Sequence, residues 1–329
     1  MRILVTGGCG FIGSNFIRYI LEHYKPAYLS NVDVLTYAGN LSNLDGVAQT
    51  HGDRYEFFQA DIASVHQMDA LMSKHSFFAI VNFAAESHVD RSIDSPQNFI
   101  HTNVVGTSVL LDCARRHGIQ RFVQISTDEV YGSLGAEGKF TEQSPLEPSS
   151  PYSASKAGAD LLALACHTTF GQEVVVTRCS NNYGPYQFPE KLIPLMIIKA
   201  MRAEPLPVYG DGLNVRDWIH VEDHCAAIVA ALFEGKPGAV YNFGGNSEMA
   251  NLETVKLILE KLGKPQSLIS YVPDRPGHDR RYAIDSTFAQ RELTWTPRHD
   301  FGESLFATID WYLNNRAWWE PLLARAGRY

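Results

Sequence analysis

Met1-Arg2-Ile3-Leu4-Val5-Thr6-Gly7-Gly8-Cys9-Gly10-Phe11-Ile12-Gly13-Ser14-Asn15 opens the chain. An apolar run of strand length leads into glycines spaced G-x-x-G-x-x-G, and a helical pattern follows. Glycine permits the tight turn, lets a pyrophosphate approach the backbone, and allows close helix–strand packing. The helix N-terminus then faces the phosphate charge. Asp33 ends the next apolar run, 20 residues after Gly13. An acid there accepts hydrogen bonds from the adenosine ribose hydroxyls and repels a 2′-phosphate. No Lys or Arg lies between Asn31 and Asn40, so NAD is favoured over NADP. The competing explanation of Asp33 is a strand-end cap.

Outward from this fingerprint, strands are expected at Arg2–Thr6, Tyr28–Asp33, Tyr55–Gln59, Ala79–Phe83, Arg121–Ser126 and Glu173–Arg178. Several are apolar throughout, as strands buried on both faces are. Between them lie helical stretches at Ser14–Tyr24, Val65–His75, Asn98–His117 and Ser153–Phe170. This alternation predicts an α/β fold, a Rossmann-type doubly wound parallel sheet, with a smaller C-terminal substrate-binding lobe. The expected division is 1–180 for the NAD-binding domain, with 218–244 returning to it, and 181–329 for the lobe. Pro and Gly cluster at Asn182–Pro189, Pro205–Gly212 and Pro273–Gly277, so the lobe is expected to be mostly loops and helices.

Bulk properties bound the function. A chain of 329 residues exceeds what one core usually organises. The net charge of −8 lacks the basic patch that a nucleic-acid surface needs. Five cysteines without a C-x-x-C argue against a disulfide framework or zinc site. With no membrane-length apolar run and no leader pattern, a cytoplasmic protein is expected.

Tyr152 and Lys156 stand four apart at the start of a helical stretch, which puts them on one face. An ammonium beside the phenol, together with a nicotinamide cation, lowers the tyrosine pKa and makes it a base toward a substrate hydroxyl. Ser126-Thr127-Asp128-Glu129 ends the fifth strand. Ser or Thr there can hold the reacting oxygen. Adjacent carboxyls repel, and an elimination needs such a pair, one as base and one as acid. Asp61 and Phe83-Ala84-Ala85 also follow strands, where ligands bind in open parallel sheets. A helix cap explains Asp61 equally well.

The sequence resembles the extended short-chain dehydrogenase/reductase family, and within it the nucleotide-sugar 4,6-dehydratases. The segments that carry the resemblance are T-G-G-C-G-F-I-G-S-N at 6–15, D-V-L-T-Y-A-G-N-L at 33–41, A-A-E-S-H-V-D-R-S at 84–92, S-T-D-E-V-Y-G at 126–132 and S-P-Y-S-A-S-K-A at 150–157. Further along come R-C-S-N-N-Y-G-P-Y-Q-F-P-E-K-L-I-P at 178–194, R-D-W-I-H-V-E-D-H at 216–224 and D-R-P-G-H-D-R-R-Y-A-I-D at 274–285. Cys9, where a small residue such as alanine is usual, and the short connection Arg116–Arg121 depart from the pattern.

The resemblance implies bound NAD and a nucleotide-sugar substrate, dTDP-glucose, with UDP-glucose as the alternative. In that scheme Tyr152, tuned by Lys156, deprotonates the 4-hydroxyl while Thr127 holds its oxygen. Glu129 takes the C5 proton and Asp128 protonates the leaving 6-hydroxyl. The implied cofactor residues are Gly7, Gly10, Phe11, Ile12, Gly13, Asp33, Val34, Leu35, Thr36, Asp61, Ile62, Phe83, Ala84, Ala85, Ser87, Thr102, Tyr152, Lys156 and Asn182. The implied substrate residues are Ser87, Thr127, Asn181, Lys191, Leu192, Pro207, Val208, Tyr209, Arg216, Asn251, Asp274, Arg275, Pro276, Gly277 and His278. By residue chemistry alone, Arg216 suits a diphosphate or a surface ion pair with Asp217, the Asn181–Pro185 stretch is a turn, and Asn251 is a helix cap. A homodimer is implied, with the helices at Asn98–Cys113 and Ser153–His167 forming an intersubunit bundle or packing inside one chain.

Two other functions fit parts of the sequence. A nucleotide-sugar 4-epimerase would share the Tyr–Lys pair but have no use for Asp128-Glu129. A non-catalytic NAD-binding protein would need neither pair. His220 and His224 have the spacing of a zinc pair, but Val221 removes the general base of H-E-x-x-H, so they are expected to begin a helix and no metal is expected. The aromatic stretch Trp311–Trp319 is expected to pack as an amphipathic helix.

Overall fold

The structure is a computed structural model and describes residues 1–326. The last three residues of the expected 181–329 lobe lie outside the described residues.

Seven parallel strands form the main sheet: β1 (Arg2–Thr6), β2 (Tyr28–Asp33), β3 (Tyr55–Gln59), β4 (Ala79–Asn82), β5 (Arg121–Thr127), β6 (Glu173–Cys179) and, after three strands outside this sheet, β10 (Val240–Phe243). Their order is β10-β6-β5-β4-β1-β2-β3. The chain reverses direction across the sheet between β1 and β4, which opens a crevice at the carboxyl ends of the strands. All seven β5 residues are buried, as the apolar run predicts for a central strand.

Both faces are covered. Phe16, Ile17 and Ile20 of the helix Phe11–His23 pack with Ile228 and Leu232 of the helix Val221–Glu234 on one side. Leu110, Leu111 and Ala163 seal the other. The segment from Val221 through β10 thus lies against this sheet although it follows the first strands of the lobe.

The expected single helix at 98–117 is three pieces: Pro96–Phe99, a widened π-type stretch at Ile100–Gly106, and Thr107–Arg116. Asn103 is held away from a regular path. Its side chain accepts from the Glu86 N–H at 2.9 Å and donates to the Glu86 carbonyl at 3.1 Å and to Ser155 Oγ at 2.8 Å. Gly106 fits directly against Ile62, where a Cβ would stand 2.6 Å from its Cδ1. Local pattern carries neither long-range demand.

The lobe contains more strand than its Pro and Gly content implies. β7 (Asn181–Tyr183), β9 (Val215–His220) and β11 (Glu248–Ala250) form one small sheet, and β8 (Leu206–Tyr209) pairs with β12 (Ile269–Val272). Strands this short leave little periodicity to read. The lobe core gathers Ile193, Trp218, Leu305 and Tyr312. Trp311, Trp318 and Trp319 pack into it, with Trp319 fully buried.

His220 caps the helix Val221–Glu234, its Nδ1 accepting from the Glu222 N–H at 3.4 Å, and His224 lies within that helix. Asn251 is the first helical residue rather than the cap, because Ala250 occupies that place in extended conformation. Among the described residues no helix is long and apolar enough to cross a membrane.

Candidate active site

A cavity of about 550 Å³ lies at the crevice. Gly7, Gly10, Phe11, Ile12, Gly13, Asp33, Val34, Thr36, Asp61, Ile62, Phe83, Ala84, Ala85, Ser87, Thr102 and Asn182 all line it. Thr127, Asp128, Glu129, Tyr152, Lys156, Asn181 and Lys191 complete the wall. Residues separated by up to 184 positions are brought together because each sits at a strand end or the loop after one.

The glycine turn leaves room for an anion. Gly7 has φ +68°, and a Cβ there would stand 2.6 Å from Ala84 N. A Cβ on Gly13 would stand 2.8 Å from Gly8 Cα, whereas one on Gly10 would meet only Gly7 O, at 3.3 Å. Gly7 and Gly13 therefore serve close backbone packing, and Gly10 leaves its side of the cavity open. Asp33 is more than a cap: Cys9 N–H donates to Oδ2 at 2.9 Å and Leu35 N–H to Oδ1 at 2.8 Å. Burial raises the pKa of this carboxyl, and the two backbone bonds pull it part of the way back. Leu35 itself is off the cavity wall, in left-handed backbone at φ 59°. Asp61 is not a helix cap either. It accepts from Ala63 N–H at 2.8 Å, and Ser64 caps the helix Val65–Met72. The glycine cradle, the acid and the cavity size fit a dinucleotide.

Pro151–Phe170 delivers Tyr152 and Lys156. Ser150 and Ser153 form a reciprocal capping box and Pro151 starts the helix, so its first turn is fixed. Lys156 is buried and donates to the Ile125 carbonyl at 2.6 Å. Burial lowers its pKa, and Asp160, one turn on, opposes that. The expected lowering of the Tyr152 pKa invokes the nicotinamide cation as well as Lys156, and the groups of the protein act the other way. Burial pushes the phenol well above its ordinary value, Glu129 and Cys179 push it further, and the Thr127 hydroxyl pulls it back. Lys156 spends its short bond on β5 instead.

The two carboxyls at 128 and 129 sit in different fields. Asp128 is pushed well above the carboxylate range by burial, then by Glu129 and Asp217. Glu129 is also raised by burial, but Arg275, Arg216 and Lys191 all favour its charged form. The pair is thus sorted: Asp128 is the more readily protonated of the two and Glu129 the better anion.

The other expected substrate residues, from Leu192 onward, belong to the lobe and are not on the wall of this cavity. Arg216 is buried, donates to Asp279 O at 3.0 Å and stacks on Tyr282 with its Cζ 4.4 Å from the ring centre. It is no surface partner of Asp217. Arg275 pairs with Asp90 at 3.2 Å, and His278 meets Asp274 at 2.5 Å and the Tyr209 ring edge-on. Pro276 and Gly277 turn the strap between them, Gly277 close to Ser149 O. Leu192 starts a helix directly after Lys191, Pro207 and Val208 lie in β8 with Val208 in the lobe core, and Asn251 Oδ1 is buried without a hydrogen-bond partner.

His224 is fully buried and meets Asn182 Oδ1 at 2.8 Å. The donor atoms that do lie within 4.8 Å of one another belong to His220, Glu222 and His299, a grouping no sequence spacing reveals. His299 is paired with Asp223 at 2.9 Å there.

A family model described as GDP-mannose 4,6 dehydratase matches residues 4–307. The chain belongs to that family. A dTDP-glucose 4,6-dehydratase of Streptomyces niveus is 52% identical over 98% of this chain and 96% of its own length. The crystal structure of DesIV, a dTDP-glucose 4,6-dehydratase from Streptomyces venezuelae with NAD bound, is 49% identical, covers 98% of this chain and 100% of its own, and superposes with a TM-score of 0.95. The UDP-glucose 4-epimerase of Thermotoga maritima keeps a TM-score of 0.89, covering 96% and 100%, at 28% identity. The extended short-chain dehydrogenase/reductase resemblance of the motifs is borne out.

Sequence reasoning passed over several residues of this site. Glu86 and Glu190 line the cavity and are both raised by burial. Tyr37 donates to Glu190 Oε1 at 2.9 Å, and Arg91 lies over the Tyr37 ring. Glu190 stands inside the motif at 178–194, so its position was visible and its partner was not. Behind Lys156, Asp160 and Arg178 form a buried ion pair at 2.9 Å. The i+4 spacing from Lys156 was the available signal.

Proposed function

We propose that this protein is an NAD-dependent dTDP-glucose 4,6-dehydratase, a hydro-lyase. One observation carries the reading: a buried Asp128 and a half-buried Glu129, in different electrostatic fields, share a cavity wall with a tyrosine–lysine pair. NAD supplies the hydride chemistry, accepting from C4 of the sugar and returning to C6, so the net reaction is loss of water. Gly7, Gly10, Gly13 and Asp33 hold it.

Tyr152 takes the proton of the 4-hydroxyl, and Thr127 fixes that oxygen. Lys156, anchored on Ile125, holds positive charge beside the reacting centre. Glu129 then removes the proton from C5, made acidic by the adjacent ketone, Asp128 gives its proton to the departing 6-hydroxyl, and C5 is reprotonated when hydride returns to C6. Arg216, Lys191 and Arg275 offer the cations that a sugar diphosphate needs, and arginine's fork suits phosphate oxygens. An epimerase needs no elimination acid or base, so the sorted pair disfavours that alternative.

The cofactor domain comprises 1–180 with 218–244, and the remainder of 181–329 is the nucleotide-sugar lobe; the pairing of β10 with β6 supports this division. The enzyme works as a homodimer. Exposed Ile100, Val105 and Leu161 on the helical stretches at 96–116 and 151–170 support a self-association face. Five free cysteines favour the reducing cytoplasm.

Incubation with dTDP-glucose should give a 4-keto-6-deoxy product, read by its chromophore in alkali, and turnover on UDP-glucose should be much slower. Absence of that product from either sugar nucleotide defeats the assignment. Glu129→Gln should keep NAD bound but suppress exchange of C5 hydrogen with solvent deuterium.

A further inference from the structure

The loop that follows β2 runs along the cofactor side of the cavity, where Thr36, Ala38 and Gly39 line the wall beside Asp33. It doubles back on itself. Leu35 is in left-handed backbone at φ 59°, and Gly39 returns so close that a Cβ there would stand 2.8 Å from Asp33 Oδ1 and 3.0 Å from Leu35 Cα. The groups that hold this shape from outside belong to a segment 275 to 289 positions further along the chain. Arg325 Nη2 donates to the carbonyls of Thr36 and Gly39, both at 2.9 Å, and so links the two arms of the loop. Trp318 Nε1 donates to Asn43 Oδ1 at 2.9 Å, and the Asn43 amide donates in turn to Cys9 O, in the glycine turn, at 2.9 Å. Leu322 is buried and packs with Tyr37, Ala38 and Phe188.

We propose that Arg325 is a positioning residue for the cofactor, a brace that holds the loop 33–39 in the shape that receives the adenosine end of NAD. This rests on the NAD reading of the cavity. A non-glycine residue in left-handed backbone is strained and persists only where its surroundings hold it. One guanidinium bonded to both arms supplies that hold and removes freedom from the loop before the ligand arrives, so less ordering is left for binding to impose. Arg325 is off the cavity wall, so it acts through the loop and not by contact. A lone exposed arginine would carry little weight. Here Trp318 and Leu322, from the same segment, hold the stretch 37–43 by independent contacts, one polar and one apolar. A cofactor that takes a hydride and returns it within one turnover has to stay bound in between, and a braced loop slows its escape.

The test is NAD release from the holoenzyme, read as a dissociation rate and as a Kd, for the wild type, Arg325→Met, Arg325→Lys and Trp318→Phe. Arg325→Met keeps the length of the side chain and loses both bonds, so release should quicken and Kd should weaken by about fivefold to tenfold. Arg325→Lys retains a donor and should recover part of that loss. Trp318→Phe keeps an aromatic ring, loses the bond to Asn43, and should weaken Kd by about twofold to fivefold. The KM for dTDP-glucose should not move, and kcat of Arg325→Met should return to the wild-type value when NAD is in excess. A Kd and release rate for Arg325→Met within about twofold of the wild type overturn the proposal, even if the thermal midpoint falls, because that pattern means a purely structural contact. A loss of kcat that excess NAD does not restore overturns it too. Failure of the wild type to bind NAD at all would instead overturn the NAD reading.

Discussion

Lys156 Nζ lies 2.6 Å from the carbonyl oxygen of Ile125 and donates to it, so the helix Pro151–Phe170 is tied to the carboxyl-terminal part of β5. That bond fixes where the charge sits relative to Thr127, two residues on. Burial, then Glu129 and Cys179, make Tyr152 a weaker acid than free tyrosine, and a nicotinamide cation would favour its phenolate.

Lys156→Met should therefore lower kcat by about 10²–10⁴, the usual worth of a positioned acid–base group, and Tyr152→Phe by a similar factor. Lys156→Arg should not rescue, because a planar guanidinium does not reproduce the compact ammonium that donates to the Ile125 carbonyl. Steady-state assays on dTDP-glucose decide this, with NAD content as the folding control.

Asp128→Asn should abolish elimination yet stabilise the fold. The sign follows from the raised pKa. The folded state keeps the Asp128 proton to higher pH than the unfolded chain does, so stability is lost as pH rises from about 4 toward the folded value. The amide carries no such penalty. Melting curves should coincide below about pH 4 and separate above it, with the variant higher by about 1–2 °C for each kcal/mol recovered. A variant that melts lower at neutral pH contradicts this.

Gly10→Ala and Gly13→Ala should fail differently. An alanine at 13 collides with the Gly8 backbone, which cannot move aside, so the variant should lose several °C of melting temperature. An alanine at 10 meets only one carbonyl at 3.3 Å and should fold normally, with NAD affinity about tenfold or more weaker as its methyl obstructs the pyrophosphate. Calorimetry and NAD titration separate the two outcomes.

Asp33→Asn replaces an oxygen that accepts one of two backbone bonds with a donor. A charge-assisted hydrogen bond is worth about 1.5–3 kcal/mol, so NAD affinity should fall roughly tenfold to a hundredfold while tolerance of NADP rises. Equal selectivity in the variant and the wild type, measured as the ratio of the two dissociation constants, would rule this role out.

The fold was legible because its signals are local. An apolar run, three glycines and Asp33 lie within 33 residues, and each acts through its own backbone or strand end. Tyr152, Lys156, Asp128 and Glu129 were legible because i+4 spacing and adjacency are also local facts. The break in the helix at Ile100–Gly106 was not, since it depends on Asn103 reaching Glu86 and Ser155, 17 and 52 residues away. The strands of the lobe were hidden by their length, three residues in β7 and β11.

Sequence by itself determined the Rossmann sheet, the choice of NAD and the presence of an acid pair beside a tyrosine–lysine pair. Only the tertiary structure decided that the two acids lie in different electrostatic fields, that Lys156 leans on Ile125, and that Arg216 is buried against Tyr282 rather than paired at the surface with Asp217. The reason is physical. Backbone pattern is written in residues a few positions apart, whereas the charge state of a buried carboxyl is set by burial and by groups such as Arg216, Asp217 and Arg275, which only folding brings near.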